Sequence, residues 1–367
     1  MTPPESGRLP KPGLRAGRLD ESGPLNIRIL SLPPGCVTGI GSLPMKDARE
    51  AVRFVEEVSP LLPFWPQLPA RSPGENALTQ FLGSAAGHLS PRGAGPGLSV
   101  KPGQSASVLS KLREGAPDLD PSRASGFFAF EEALIRNSFP DALGLKGQIT
   151  GPVTLATYLF DGDRPFAASR VLTEALGAHL TRQGAWQVKK LKRFGKPLVV
   201  FVDEPGLAAV GPSILAAEAA PLVTALADLF DALRDAGALA GMHCCGTFPL
   251  GLLSRAHPDV LSFDALGSIE TFLADPDVHA YFRTGGRVAY GLVPTRPDPR
   301  LHTAEALFDR WRTAAASFAS QFGVERLARS AMITATCGHA RVEAASARAS
   351  FALAHKIKDL FASAAGT

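Results

Sequence analysis

A single (β/α)8 barrel of the TIM type, an α/β fold, is predicted by three features of this 367-residue sequence. It has eight short apolar runs, an amphipathic stretch after most of them, and a cluster of polar or small residues where each run ends. The runs lie at 36–41, 61–67, 145–149, 197–202, 239–243, 260–263, 287–292 and 331–336. Several are almost continuously apolar, as strands buried on both faces of a parallel sheet are. Helical periodicity fills 48–58, 166–193, 212–236, 269–282 and 303–322. An open doubly wound sheet would need fewer strands, and TGIGS after the first run lacks the third glycine of a dinucleotide-binding fingerprint. The segment 87–126 is dense in Gly, Pro and Ser and is expected to be a long loop or excursion between the second and third strands. Residues 1–35, rich in Pro, Gly and Arg, are expected to be disordered or extended, leaving 36–367 as one domain.

Composition narrows the class. Hydrophobic residues make up 45% and charged residues 20%, enough for a sizeable buried core. The net charge of +4 is small and spread along the chain, which gives no case for nucleic acid or a membrane surface as partner. No apolar run approaches the roughly 18 residues that a bilayer span needs, and the N-terminus has no apolar signal-peptide core, so a cytoplasmic protein is expected. Four cysteines are too few for a disulfide framework. In a reducing compartment, thiols near a histidine are better read as metal ligands.

Active sites of this fold sit where the strands end. The clusters at those ends read TGIGSLP, PQLP, QITGP, VDEP, HCCG, FDALG, GLVPT and ATCGH, and they hold nearly all the reactive side chains of the chain. His243 and Cys245 stand two apart at the end of the fifth run, so in extended chain both point to one side while Cys244 faces away. Cys337, at the end of the eighth run, is expected to close on the same point. One imidazole and two thiolates suit zinc (Zn2+). Asp264, ending the sixth run, is the candidate carboxylate for a fourth position. Such a site would carry a charge of about −1 and would hold an incoming thiol as thiolate rather than act as a strong Lewis acid. Cys36 lies at the wrong end of its strand and is read as a buried apolar residue, and Cys244 as packing.

These segments resemble the catalytic C-terminal barrel of cobalamin-independent methionine synthase, over roughly Cys36 to the C-terminus. Thr38-Gly39-Ile40-Gly41-Ser42-Leu43-Pro44 is similar to that family's TxIGSFP opening. Lys146-Gly147-Gln148-Ile149-Thr150-Gly151-Pro152-Val153-Thr154 is similar to its KGMLTGPVT block. Asp203-Glu204-Pro205 matches part of its DEPA turn, His243-x-Cys245 its zinc pair, and Cys337-Gly338 its final CG, all in the family's order. The resemblance implies a methyltransferase domain that forms methionine from homocysteine. Its protein zinc ligands would be His243, Cys245 and Cys337. The backbone at Gly41 and Ser42 would hold the substrate carboxylate, and Asp203, the expected catalytic carboxylate, would hold the ammonium group together with Glu75.

The sequence also departs from that family. Its fourth zinc ligand is Glu, where this chain offers Asp264. Its DEPALRE continues here as Gly206-Leu207-Ala208-Ala209, and the Trp that stacks on the folate pterin is matched in position by Tyr158. A family histidine after the seventh strand has no counterpart in Gly291-Leu292-Val293-Pro294-Thr295, and the family's N-terminal barrel has none either. Because the departures gather on the donor side, the expected methyl donor is a methylated corrinoid protein or 5-methyltetrahydrofolate. Two other enzymes stay open: a methyltransferase to another thiol such as coenzyme M, which would share the zinc triad but not need Asp203, and a metal-free relative of uroporphyrinogen decarboxylase. A non-catalytic zinc protein on the same barrel is a further reading.

Overall fold

The computed structural model describes residues 32–93 and 95–366. Most of the predicted disordered segment 1–35 therefore lies outside the described residues. The strands are β1 (Cys36–Val37), β2 (Leu89–Pro91), β3 (Leu98–Val100), β4 (Leu145–Thr150), β5 (Leu159–Asp161), β6 (Arg164–Pro165), β7 (Leu198–Asp203), β8 (Leu239–Cys244), β9 (Val260–Asp264), β10 (Arg287–Val293) and β11 (Ala331–Ala335). Seven of these form one curled parallel sheet in the order β1-β11-β10-β9-β8-β7-β4. They are the predicted runs, each displaced by no more than a residue or two except the first, which is cut to two residues.

The second predicted run, 61–67, forms no strand. It makes isolated parallel bridges to both edges of the sheet, Ser42 with Gln67 and Phe64 with Lys146. The reason is in the sequence: Pro63 and Pro66 carry no N–H and so cannot donate to a continuous ladder. What remains is Lys146 N donating to Pro63 O (2.8 Å), Gln67 N to Gly41 O (3.0 Å) and Leu43 N to Gln67 O (2.9 Å).

One inward-facing side chain or two from every strand of the sheet but β4, with Leu62 from the bridged segment, fills the interior near the strand starts: Cys36, Leu62, Val199, Phe201, Leu239, Val260, Ala289 and Met332, joined by Leu32. The larger core packs helices against the outer face. The strand ends are thereby left as the open rim.

The helices follow the periodicity, with local corrections. Ala48–Val58 is as predicted, with the Asp47 carboxylate accepting from Glu50 N at 2.8 Å as its cap. The predicted helix 269–282 is two helices, Ala265–Ala274 and Pro276–Arg283, because Pro276 cannot continue the first and Asp275 caps the second. The predicted excursion 87–126 is structured: β2 and β3 pair, Ser105–Glu114 is helical, and the small sheet runs β2-β3-β5-β6. Both of its halves follow the C-terminal ends of elements of the main sheet, so it stands beside the rim. No helix among the described residues is long and apolar enough to cross a membrane.

Candidate metal centre

β8 ends on Met242-His243-Cys244, and its alternation sorts the polar side chains. Cys244 is buried, with its thiol turned to Gly246 O at 3.3 Å, while His243 and the next residue, Cys245, lie on the other side. Cys337 follows β11 across the rim. One ligand atom each from His243, Cys245 and Cys337 lie within 4.8 Å of one another, a group able to hold a metal ion. Gly338 permits this approach, since a Cβ there would come to 2.1 Å from Ser42 Oγ.

His243 is oriented by β9. Its Nδ1 lies 3.0 Å from Ser262 Oγ, while Nε2 is buried with no hydrogen-bond partner. A buried imidazole nitrogen left without a partner is costly unless something binds it. The nearby sulfurs make that something a soft cation, and two thiolates with one imidazole fit zinc. Burial pushes the Cys36 and Cys244 thiols up to about 12, as inert packing residues. The facing pair behaves differently: Cys337 is held far below the usual thiol range, chiefly by the thiol of Cys245 and further by the neighbouring imidazole of His243, and Cys245 is raised because it faces that sulfur. Ser262→Ala, by freeing the ring of His243, is expected to weaken zinc about 10–100-fold while the fold survives, as competition with a chromophoric chelator would measure.

The other predicted residues fall into two sets. Asp203 ends β7 opposite His243 in the ladder, and its buried Oδ1 has no partner. Glu75 is buried, takes a hydrogen bond at Oε1 from Ser125 Oγ (2.6 Å), forms an ion pair there with Arg71 Nε (3.3 Å), and leaves Oε2 without a partner. Burial raises both carboxyls above their ordinary range. Gly41 has a φ of 151°, and a Cβ there would meet Gln148 and Gln67 at 2.8 Å, so only glycine fits. Ser42 O accepts from His339 N at 2.9 Å, which ties the first rim loop to the last.

Asp264, expected as a fourth ligand, stands outside the three-residue group. Its Oδ1 accepts from Leu266 N (3.0 Å) and Gly267 N (3.3 Å), as the N-cap of the helix that follows. The short side chain at a strand-to-helix turn is taken up by its own helix. Tyr158 ends the helix Pro152–Tyr158, half-buried, with its carbonyl against Gly97 beside the small sheet.

Three residues belong to this region that the sequence analysis assigned no role. Ser262 is one. Lys146 is fully buried, with Nζ donating to Ile40 O at 2.6 Å. His339 is buried two residues past Cys337, its Nε2 is unpartnered, and burial lowers it to about 4. The signal for Lys146 was available, because a lysine inside an otherwise apolar strand has to be paired or functional.

The structure is an α/β fold whose curled, seven-stranded parallel sheet gathers its reactive side chains where the strands end, as the sites of α/β barrels are. No family model matches the chain, and no curated protein does. Among solved structures, it is similar to a B12-independent methionine synthase from Shewanella sp. W3-18-1, in complex with selenomethionine, at 13% identity and a TM-score of 0.57, over 89% of this chain and 97% of that one. It is also similar to a methyltransferase from Methanosarcina mazei, at 14% identity and a TM-score of 0.54, over 92% and 98%. At these identities the likeness is one of fold, and the fold is that of the methionine synthase-like barrels.

Proposed function

We propose that the chain is a zinc-dependent homocysteine S-methyltransferase of the methionine synthase type, with a methylcorrinoid or 5-methyltetrahydrofolate as methyl donor. The observation that carries this reading is the convergence of His243, Cys245 and Cys337 within 4.8 Å, with the buried Nε2 of His243 left unpartnered. Zinc held by these three would keep a substrate thiol ionised at neutral pH, where a free thiol of pKa about 8.5 is only a few per cent thiolate.

The chain's own side chains supply binding and alignment. The unpartnered oxygens Asp203 Oδ1 and Glu75 Oε2 suit an ammonium group, and the backbone at Gly41 and Ser42 suits a carboxylate. Together they would fix an amino-acid thiol at both ends, so that its sulfur approaches the donor methyl along the line of the breaking bond. A sulfur–carbon bond forms as the donor's bond to the methyl breaks, and that electron pair leaves with the donor. Tyr158, on the side of the small sheet, faces the donor in this reading. The segment 61–67, bridged to both edges of the seven-stranded sheet, would take the eighth position of the barrel, and reactive thiols of this kind fit a reducing, cytoplasmic setting.

Zinc-loaded protein given homocysteine with methylcobalamin, and separately with 5-methyltetrahydrofolate, is expected to release methionine with at least one donor. No methionine from either, with the metal site filled, overturns the proposal.

A further inference from the structure

The weakest part of the main sheet is the gap that 61–67 spans with isolated bridges. Lys146 crosses that gap from β4. Its backbone is bridged to Phe64, and its Nζ passes on to Ile40 O at 2.6 Å, with Gln148 Oε1 at 3.2 Å and the face of Phe201 4.5 Å from the cation. Ile40 is the residue before Gly41-Ser42. A fully buried lysine is rare and costly, and here its head group grips the residue that leads into Gly41-Ser42, where the carboxylate of an amino acid would be held.

We infer that Lys146 is a positioning residue for an α-amino-acid thiol, holding the Ile40-Gly41-Ser42 backbone in place for the substrate carboxylate. The inference rests on the homocysteine reading above and gives that site its selectivity for a thiol that carries a carboxylate. The four-carbon stem of Lys146 lies along apolar surface and only the head is polar, so its role is to fix neighbours. Without Lys146, the carbonyl of Ile40 loses its donor and the loop that follows loses its tether to β4. That change does not touch the His243, Cys245 and Cys337 group.

The test is calorimetric binding of homocysteine and of ethanethiol, a thiol with neither charged end, to the zinc-loaded chain. Wild type, Lys146→Gln and Lys146→Arg are compared, with zinc content measured for each. Lys146→Gln keeps most of the buried stem and so is the milder change to the fold, but its amide ends one atom short of the position from which Nζ reaches Ile40 O. Homocysteine is expected to bind about tenfold or more weakly to Lys146→Gln and within about threefold of wild type to Lys146→Arg, with ethanethiol within about twofold throughout. Unchanged homocysteine affinity in Lys146→Gln overturns the inference, as does a parallel loss of ethanethiol or of zinc. Wild type that binds ethanethiol as well as homocysteine sinks the amino-acid reading of the site, and wild type that binds neither sinks the thiol reading with it.

Discussion

Cys337→Ala is expected to strip the chain of tightly held zinc and to end thiol alkylation. Apparent zinc affinities of about 10–16 kcal/mol, shared over about four ligands, assign about 3–4 kcal/mol to each, a loss of about two to three orders of magnitude. The effect should be large because nothing nearby can take over. Asp264 is occupied by Leu266 N and Gly267 N, and Cys244 is turned to Gly246 O. Cys36→Ala is the control, since that thiol lies in the interior cluster at the opposite end of the strands. Metal content after dialysis against a chelator separates the two. Retention of zinc by Cys337→Ala at wild-type affinity would remove the metal centre, and the proposed chemistry with it.

The largest effect on folding is expected at Glu204. Its Oε1 accepts from Val153 N (2.9 Å), and its Oε2 accepts from Thr154 N and Thr154 Oγ1, both at 2.6 Å. A single buried carboxylate thus satisfies the first turn of Pro152–Tyr158 and fixes that helix to the end of β7. The fit is close: a Cβ on Gly151 would come to 2.1 Å from Oε1. Glu204→Ala would leave three buried donors without a partner and is expected to cost about 3–5 kcal/mol, read by urea unfolding. A loss under about 1 kcal/mol would refute this account.

Glu204 also predicts a pH dependence. Burial pushes its carboxyl from 4.5 up to about 7, with the three donors pulling the other way. Between those values the folded chain keeps a proton that the unfolded chain has released. This group's contribution to stability therefore falls as pH rises through the window. Glu204→Gln does not titrate, so its stability relative to wild type should rise from about pH 5 to about pH 7. A relative fall would show that the donors outweigh burial and hold the group ionised.

Much of the fold is legible in the sequence because buried parallel strands write themselves as apolar runs. β4, β7, β8, β9, β10 and β11 all lie at predicted runs, nearly residue for residue. The second run misleads for a local reason. LLPFWPQ is apolar enough for a strand, but its two prolines leave only bridges. The excursion 87–126 misleads in the opposite sense, since its glycines and prolines hide a hairpin that pairs with β5 and a helix that packs on Arg170–Lys192, both partners far along the chain.

By itself the sequence marked which reactive side chains gather at the strand ends. Alternation along β8 sets His243 apart from Cys244, and a strand end is where Cys337 had to be useful. Only the tertiary structure decided which polar groups remain unspent. Asp264 and Glu204 read alike as rim carboxylates, yet backbone N–H groups occupy both, while Asp203 Oδ1 and Glu75 Oε2 stay without partners. Hydrogen bonds are settled by neighbours that meet only on folding, and Lys146, anonymous within its strand, becomes a link to Ile40 across the open part of the sheet.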